Sequence, residues 1–536
     1  KYDKICKGGS MKIEKLNAEH SNYIKEHYPI SHLCAKVLSA ADMEDKEIQE
    51  LLSIPKLSDP FSAKGMKEVA DRIYQAKIQK EKVLVCGDYD ADGICSTAIL
   101  VDALRKYGVT CGFYIPNRFK EGYGLHVDTV HMAYEKGYRL LITVDNGVKA
   151  FDALKEAKRL GIEVIITDHH AMEEELDCLY LLHPFHMGDA FSTLSGAGVA
   201  LEISRALLPE IKEHVVLACV AAIADVMELR KETRAIVKLG IQYLKQGVCK
   251  PIQMLAKNRY PQWDEVLIAY QIVPKLNVIG RLADMANANN AVRYLLLTDY
   301  EEIQKVSHQI TDLNEKRKKM SDAMVETAKS LIHDEYPFQL LFHDSFHEGI
   351  VGLVAGKLAQ ERNQPVMIAA KSENGFKGSI RSMGLLDLTT FFDGCKEELS
   401  SYGGHKSAAG IGFSFDKKQE VQDYVNKKME GITFENELCY KVIPILENEI
   451  TQKEVESLSM LAPFGNGFEE PLFLLENLKV TSPKRMGNGK HLKWVLNDAI
   501  DIVYFNCEKE AQYLSSASSL SFIANLRINS FMGRKK

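Results

Sequence analysis

The stretch VLVCGDYDADGICSTAIL, residues 83–100, decides the fold. It opens with an apolar, Val-rich run of the kind that forms a buried strand. Its centre, DYDADG, places carboxylates at Asp88, Asp90 and Asp92 and ends in Gly, as the calcium-binding loop of an EF-hand begins. An EF-hand also needs a preceding helix and a closing Glu, and the closing position here is Ile99. The stretch therefore disfavours a calcium loop and leaves a solvated acidic turn or part of a catalytic metal site.

Short apolar strands alternate with helical segments beyond this stretch. GFYIP precedes a helix predicted near residues 127–136, and RLLITV precedes one predicted at residues 149–160. A further strand, VIIT, ends at Thr167. Strands rich in Val, Ile and Leu, separated by such helices, are typical of βαβ units. The predicted fold class is therefore α/β with a parallel, doubly wound sheet.

Length and composition limit the class of protein. The 536 residues predict about three domains, and 46% hydrophobic and 26% charged residues are ordinary for a globular chain. The longest apolar run, VVLACVAAIADV, is too short to span a bilayer and predicts a buried helix. The 11 scattered Cys, without a C-x-x-C pair or a secretion signal, indicate reduced thiols, a cytoplasmic location and no membrane contact. With a net charge of −6, any polyanion would need a local basic groove.

Changes in composition divide the chain into five predicted segments. A polar helical region precedes the α/β pattern, and a Lys- and Glu-rich segment of helical periodicity follows it. A second α/β unit and short β-rich segments with turn signals complete the chain. The predicted boundaries are 1–60 for an N-terminal extension and helical segment, 61–300 for the α/β catalytic domain, 301–335 for a connecting helix, 336–432 for the second α/β domain and 433–536 for a small β-barrel.

Acidic residues and histidines follow the predicted strands where each strand ends. Ligands bind outside the carboxyl ends of parallel strands, so these side chains are expected to meet at one edge of the sheet. Carboxylates with imidazole suit Mn²⁺ or Mg²⁺, as two ions, better than Zn²⁺. Each acid alone is explained as well by a helix N-cap or a turn, but three strand ends sharing the pattern favour a metal site. The residues are Asp88, Asp90 and Asp92 after VLVCG, Asp145 after LITV, Asp168, His169 and His170 after IIT, and Asp225 at the end of the apolar helix.

These motifs resemble those of a known superfamily. GDYDADG, VDNG, TDHH and AAIADV, in this order, look like the motifs of the DHH phosphoesterases. FHEGIVGLVAGKLAQE, GFKGSIRS and YGGHKSAAG resemble the DHH-associated domain of RecJ-type exonucleases, and APFGNGFEEPLF resembles the start of their oligonucleotide-binding barrel. The resemblance implies a parallel-sheet DHH domain, joined by a long helix to a second α/β, DHH-associated domain and followed by a small OB-like β-barrel.

The resemblance also implies a role for each matched position. His170 would face the scissile phosphate as a donor or general acid, with Asp88 and Asp168 as ligands or supporting groups. The implied ligands of two Mn²⁺ or Mg²⁺ ions are Asp90, Asp92, Asp145, His169 and Asp225. The implied substrate-binding residues are Arg118, Arg281, Ser379 and Arg381, which would hold a 5′-phosphate, together with Gly403, Gly404 and His405.

The chain departs from the family pattern at one ligand position and is unusual at both ends. Related phosphatases carry a His four residues before the second Asp of the first motif, where this chain has Cys86. RecJ barrels continue after the pattern seen here as INSFMG, residues 528–533, and this chain stops three residues later, so the last barrel strand is expected to be missing. KGGS before Met11 is what in-frame reading of a ribosome-binding sequence yields, so translation is expected to start at Met11, and the alternative is that residues 1–10 are a genuine disordered tail.

The resemblance implies a metal-dependent 5′→3′ exonuclease that hydrolyses single-stranded DNA to mononucleotides in DNA repair and recombination. Its implied partners are single-stranded DNA, a single-strand-binding protein and a RecQ-type helicase, and a monomer is expected. Two alternatives stay open at this stage. One is a DHH phosphodiesterase acting on short oligoribonucleotides or cyclic dinucleotides, and the other is a non-catalytic scaffold of DNA replication.

Overall fold

The computed structural model describes residues 10–172, 174–257, 261–434, 437–497, 500–507, 510–528, 530–531 and 534–535. These residues form two compact units. The larger unit comprises residues 55–434, and the smaller one comprises the described parts of residues 1–54 and 435–536.

The larger unit is built around a five-stranded, all-parallel sheet. From β1 the chain moves to β2 on one side and then to β3 on the other, so the carboxyl ends of β1 and β3 flank the point where the strand order reverses. Ligands of open α/β sheets bind at such a point. The strands are β1 (Lys82–Cys86), β2 (Thr110–Tyr114), β3 (Tyr138–Val144), β4 (Glu163–Thr167) and β5 (Tyr180–Leu182), in the spatial order β2-β1-β3-β4-β5.

Helices cover both faces of this sheet, because successive strand residues point to opposite faces and both sets are apolar. Val83 and Val85 belong to one core, and Leu84 and Cys86 belong to the other. The helices around the sheet are Met66–Ile78, Ala91–Tyr107, Val127–Glu135, Phe151–Arg159, Pro184–Met187, Gly196–Leu207, Lys212–Ala224, Lys231–Lys245, Lys250–Leu255, Glu265–Leu267, Val273–Arg281 and Ala288–Leu295, with 3₁₀ turns at Pro60–Ser62 and Asp189–Phe191 and a π-helical segment at Ile268–Ile272.

The apolar run VVLACVAAIADV lies in the helix Lys212–Ala224 and is largely buried, as its composition predicts. Within the described part of the chain, no helix is both long and apolar enough to cross a bilayer.

A helix of 31 residues, Tyr300–Ser330, leaves this domain where the sequence predicts the connecting helix. Its start is capped by Asp299, whose side chain accepts a hydrogen bond from the Glu302 N–H at 2.9 Å. We call it the connecting helix. The helices Val273–Arg281 and Val351–Arg362 both pack against it.

The second α/β domain follows the connecting helix and has a mixed five-stranded sheet. Its strands are β6 (Gln339–Phe342), β7 (Val366–Ser372), β8 (Gly375–Arg381), β9 (Ser401–His405) and β10 (Ala408–Ser414), in the order β9-β10-β8-β7-β6, with only β6 and β7 parallel. Its helices are Val351–Arg362 and Lys418–Met429, with 3₁₀ turns at Asp393–Glu398 and Phe415–Lys417.

The second domain is closely fitted to the catalytic domain at Gly349. A Cβ on Gly349 would lie 1.6 Å from the Arg281 carbonyl oxygen, so only glycine permits this approach of the two backbones. Next to it, His347 Nε2 lies 3.3 Å from Asp284 Oδ1. The contact fixes the end of the helix Val273–Arg281 against the second domain.

The smaller unit joins the two ends of the chain. The strand Ser10–Lys15 pairs in parallel with Glu437–Pro444, a pairing that the sequence does not indicate. The predicted domain boundaries stay a prediction. The other strands are Phe473–Lys479, Lys484–Met486, His491–Leu496, Ile500–Tyr504, Ser519–Ala524, Ser530–Phe531 and Arg534–Lys535, and the helices are Ser21–His27, His32–Ala40, Asp45–Leu52, Gln452–Ser457 and Ala511–Ser515, with 3₁₀ turns at Glu447–Glu449 and Leu458–Met460.

The expectations about the chain ends fall partly outside the described residues. Residues 1–9, before the predicted start at Met11, lie outside them, as do 529, 532 and 533 of INSFMG.

Candidate active site

The carboxyl ends of β1, β3 and β4 meet at one edge of the sheet, as the sequence predicts. We call the side chains gathered there the rim; they are Asp88, Asp90, Asp92, Asp145, His169 and Asp225. Asp145 follows β3 directly in a left-handed backbone conformation, with φ of 61°, that Asp tolerates better than most residues. Its N–H donates to the Thr167 carbonyl at the end of β4 at 3.0 Å. A Cβ on Gly196 would lie 2.6 Å from the Asp145 Cβ, so the start of the helix Gly196–Leu207 closes directly over this residue.

His169 lies at the centre of the acidic residues. Its Nε2 is 3.1 Å from Asp145 Oδ1, 3.4 Å from Asp225 Oδ2 and 3.6 Å from Asp92 Oδ2. The four side chains come from four separate segments of the chain. They surround a common point as the ligands of a cation would.

A second group of possible ligands adjoins the first through Asp145. Ligand atoms of Asp88, Asp90 and Asp145 all lie within 4.8 Å of one another. Asp88 and Asp145 are only 2% and 1% exposed. Two neighbouring groups that share one carboxylate could hold two ions side by side.

The Asp92 carboxylate is oriented by the start of the helix Gly196–Leu207. It accepts hydrogen bonds from the Gly196 and Ala197 N–H groups, both at 2.8 Å, and from Ser195 Oγ at 3.1 Å. Unpaired N–H groups at a helix start favour an anion. Sequence reasoning missed these residues, although the N-cap Ser followed by glycines in SGAG was a usable signal.

Several buried atoms of the rim accept or donate no hydrogen bond, although charged neighbours lie close to them. Within the residues the structure describes, Asp88 Oδ1, Asp145 Oδ1 and His169 Nε2 make no hydrogen bond of good geometry. Buried polar atoms are normally paired, so these unpaired ligand atoms fit a bound cation.

The titration of the rim residues agrees with this fit. Burial, and then the charges of Asp92, Asp90 and the other acids, raise the pKa of Asp145 well above its usual value. Burial and the charges of Asp92 and Asp90 raise the pKa of Asp225 to about 7. Divalent cations would relieve this mutual repulsion, and oxygen with imidazole ligands suits Mn²⁺ or Mg²⁺.

Cys86 takes no part in the rim. Its side chain belongs to the core on the face covered by the helices Val127–Glu135 and Phe151–Arg159, and burial raises the pKa of its thiol to about 12. A protonated thiol is a poor metal ligand. Only its carbonyl contributes, by accepting a hydrogen bond from Asn146 Nδ2 at 3.0 Å. Cys86 therefore does not replace the His that related phosphatases carry at this position as a metal ligand.

His170 lies next to His169, with its ligand atom within 4.8 Å of those of Asp145 and His169, and is held by Asp168. Asp168 Oδ1 lies 2.8 Å from His170 Nδ1, and Asp168 also accepts from the backbone N–H groups of Val148, His169 and His170 at 2.8 to 3.1 Å. Burial disfavours charge on His170, but the hydrogen bond and charge of Asp168 outweigh it and raise the pKa to about 9. The result is an oriented imidazolium that can donate a proton.

The predicted phosphate-binding arginines gather beside the rim. The Arg118 guanidinium stacks on the Tyr89 ring, 5.2 Å from its centroid, and Arg381 Nη1 donates to Ser379 Oγ at 2.8 Å. Burial, followed by the charges of Arg118, Arg317 and Arg381, lowers the pKa of Arg281 to about 10. Across the described chain, none of these four arginines forms a salt bridge. Unpaired, partly buried guanidinium groups favour a bound anion.

The charge of Arg317, which sequence reasoning did not single out, also contributes to the lowered pKa of Arg281. Arg317 lies in a run of basic residues, KRKK, on the connecting helix, and such runs are usually solvated faces. The charges of the run gave no sign in the sequence that Arg317 is partly buried.

The remaining predicted residues border a groove of about 990 Å³ that also contains His170. Gly403, Gly404 and His405 lie on β9 and form one of its walls, and Tyr123 and Phe151 lie on the others. Tyr123 Oη donates to the Asp145 carbonyl at 2.9 Å, which ties this groove to the rim.

Fold and site together define a DHH-type α/β hydrolase with its associated domain. Models of the DHH family N-terminal domain, the DHHA1 domain and the RecJ OB domain match residues 82–227, 335–431 and 443–536. The single-stranded-DNA-specific exonuclease RecJ of Bacillus subtilis is 32% identical, over 98% of this chain and 69% of its own length. That of Escherichia coli is 28% identical, over 93% of this chain and 92% of its own.

Solved structures agree with these relatives. RecJ from Thermus thermophilus in complex with Mn²⁺ has a TM-score of 0.86 and 26% identity, covering 98% of this chain and 78% of that one. Its complex with Mg²⁺ has a TM-score of 0.79 and 25% identity, covering 98% and 77%. The chain belongs to the RecJ family of single-stranded-DNA-specific exonucleases.

Proposed function

We propose that this chain is a metal-dependent 5′→3′ exonuclease that hydrolyses single-stranded DNA to mononucleotides. The observation that carries the proposal is the pairing of two neighbouring clusters, a carboxylate–imidazole rim and a group of arginines. Among the described residues, the rim carboxylates form no salt bridge to Lys or Arg, and the arginines form none to Asp or Glu. One suits divalent metal and the other suits phosphate. The curated RecJ relatives support the same activity.

The rim residues Asp90, Asp92, Asp145, His169 and Asp225, with Asp88 beside them, would hold two Mn²⁺ or Mg²⁺ ions. Bound metal would polarise the phosphodiester and supply an activated water. The chain holds its ligands in place through the helix start at Gly196 and the backbone bond of Asp145.

His170 would supply the proton. Asp168 holds the His170 Nδ1 side, which directs the other ring nitrogen toward the substrate as an acid. In this reaction the proton goes to the 3′ oxygen that leaves when the phosphodiester is cut. Asp168 is a positioning residue, since its own carboxylate is fully occupied by hydrogen bonds.

The cluster of arginines would set the direction of digestion along the strand. Arg118, Arg281, Arg381 and Ser379 would hold the 5′-terminal phosphate and so present the next phosphodiester to the rim, which releases one nucleotide per cut. The groove beside His170, bordered by Gly403, Gly404 and His405, offers space for the rest of the strand.

The decisive assay compares substrates in the presence of Mn²⁺ or Mg²⁺. Single-stranded DNA labelled at its 3′ end, with and without a 5′-phosphate, is incubated beside an RNA dinucleotide and a cyclic dinucleotide. The expected result is shortening of the DNA from its 5′ end, abolished in Asp145→Ala. Preferential cleavage of the dinucleotides would favour the phosphodiesterase alternative, and no turnover by the folded, metal-loaded protein would favour the scaffold.

The setting of the reaction is part of the same proposal. Family membership supports a role in repair and recombination, as a cytoplasmic monomer that cooperates with a single-strand-binding protein and a RecQ-type helicase. Sedimentation of the full chain alone, and then mixed with a single-strand-binding protein, tests the monomer and the first partner.

A further inference from the structure

A second histidine, His183, contacts the main chain of the proposed acid His170. It follows β5 directly and is only 7% exposed. Its Nε2 lies 2.9 Å from the His170 carbonyl oxygen. The preceding residue is tied to the same turn, because the Asp168 N–H donates to the Leu182 carbonyl at 3.3 Å. The end of β5 thus contacts the turn that carries His170 at two points.

The hydrogen bond of the other ring nitrogen determines which nitrogen of His183 carries the proton. Nδ1 accepts a hydrogen bond from the Phe185 N–H at 3.2 Å. This N–H is the first free donor of the helix Pro184–Met187, because proline has none. Burial lowers the pKa of His183, so its ring is neutral near pH 7. A neutral ring whose Nδ1 accepts carries its proton on Nε2, which therefore donates to the His170 carbonyl.

This hydrogen bond holds the part of His170 that Asp168 leaves free. The His170 N–H donates to Asp168 Oδ1 at 3.1 Å, and its ring Nδ1 lies 2.8 Å from the same oxygen. Asp168 therefore sets the rotation of the ring, whereas His183 holds the carbonyl end of the same residue. A general acid must lie within hydrogen-bond reach of the leaving oxygen, so a small shift of its main chain lowers the rate.

We propose that His183 is a positioning residue for proton donation by His170, because its Nε2–H fixes the peptide from which the imidazole projects. In the reaction, water forms a new bond to phosphorus, the bond from phosphorus to the 3′ oxygen breaks, and that oxygen takes the proton of His170. The inference rests on the proposed function, which assigns the acid to His170. It extends that function to a residue after the fifth strand that none of the recognised motifs contains.

Two substitutions separate the hydrogen bond from the rest of the His183 side chain. His183→Ala removes the donor, and His183→Gln keeps an amide N–H that can reach the same carbonyl. On single-stranded DNA with Mn²⁺, kcat of His183→Ala should fall about tenfold with KM within about twofold, because a hydrogen bond that orients the acid is lost. His183→Gln should restore most of kcat. The exposed neighbour His186→Gln is the matched control and should keep both constants.

A substrate with a better leaving group tests whether His183 acts through the acid. In an oligonucleotide with sulfur in place of the bridging 3′ oxygen at its first phosphodiester, a thiolate leaves, and it needs no proton because thiols are far more acidic than alcohols. His170→Gln and His183→Ala should both lose much less rate on this substrate than on ordinary DNA. The double variant should cut ordinary DNA no more slowly than His170→Gln alone, since the two residues act as a unit.

The outcomes separate this inference from the proposed function. Equal losses in His183→Ala on both substrates, beside selective losses in His170→Gln, would overturn the role of His183 alone. A kcat in His183→Gln as low as in His183→Ala would also overturn it. Equal losses in His170→Gln on both substrates would overturn the acid itself, and the inference with it.

Amide hydrogen exchange tests the same contact without turnover. A peptide containing residues 168–170 should exchange about fivefold faster in His183→Ala, as for the loss of one hydrogen bond, and at the unmodified rate in His183→Gln. If the unmodified chain degrades no DNA, the proposed function fails, and this measurement still decides whether His183 holds the turn. Unchanged exchange in His183→Ala would overturn the inference.

Discussion

The acidic rim and the guanidinium cluster lie side by side but are built in different ways. The rim takes its carboxylates mainly from turns that directly follow strands of one sheet. The cluster takes Arg118 from a loop, Arg281 from a helix end and Arg381 from the second domain. The rim is built within one domain, mainly at the edge of its sheet, whereas the cluster takes residues from two domains.

The two clusters share one electrostatic problem with opposite signs. Burial, and then repulsion between like charges, raises the pKa of Asp145 and lowers the pKa of Arg281. A bound metal ion would reduce the repulsion between the carboxylates of the rim, and a bound phosphate would reduce the repulsion between the arginines. We therefore expect mutations in the rim to abolish hydrolysis, whereas mutations in the cluster of arginines should mainly weaken substrate binding.

The largest effect is expected from Asp145→Asn, which removes the carboxylate shared by both ligand groups. Activity with Mn²⁺ should fall at least about 10⁴-fold, as for the loss of an essential catalytic group. Mn²⁺ should also no longer raise the melting temperature, since a ligand stabilises only a protein that binds it. Asp312→Asn, an exposed acid on the connecting helix, serves as the control, and retained activity in Asp145→Asn would break the assignment of the rim.

His170→Gln tests whether His170 acts as a general acid rather than as a metal ligand. Activity should fall about 10³-fold because a general acid is lost, while Mn²⁺ binding measured by calorimetry stays within a few-fold. The exposed His186→Gln is the matched control. A parallel loss of metal affinity would instead make His170 a ligand.

Arg281→Gln probes the cluster. KM for 5′-phosphorylated single-stranded DNA should rise about 10- to 100-fold with a smaller change in kcat, because a charged hydrogen bond to phosphate is lost. Arg293→Gln, an exposed arginine of the same domain, controls for net charge. An effect confined to kcat would contradict a binding role.

The smallest expected effect concerns salt. The slope of log affinity for single-stranded DNA against log salt should decrease in magnitude by about 0.7 in Arg381→Gln, since one phosphate contact and its released counterions are lost. The slope should be unchanged in Asp145→Asn. Fluorescence anisotropy in EDTA at several salt concentrations measures both, and equal slopes in all variants would show that the cluster does not contact phosphate.

Sequence reasoning predicted the rim well for a physical reason. Strand ends are visible as the limits of apolar runs, and parallel strands bring their carboxyl ends to one edge, so Asp88, Asp145 and Asp168 could be placed together. The connecting helix was also predicted, from its periodicity, at 301–335 against the observed Tyr300–Ser330. Ser195 and Gly196 were missed because SGAG predicts a helix start but does not tell which distant carboxylate that helix start binds.

Composition and periodicity were sufficient for the parallel sheet, the helices that cover it, the acidic rim and the kind of ion it would hold. These features depend on local propensity and on one short-range rule of sheet geometry. The closure of the second domain on Arg281 through Gly349 and the pairing of Ser10–Lys15 with Glu437–Pro444 depend on contacts between residues far apart in the chain. DYDADG thus specified its own strand, turn and helix, and the parallel strands brought Asp145 and His169 to it, whereas Asp225 joined it from the end of a helix through long-range packing.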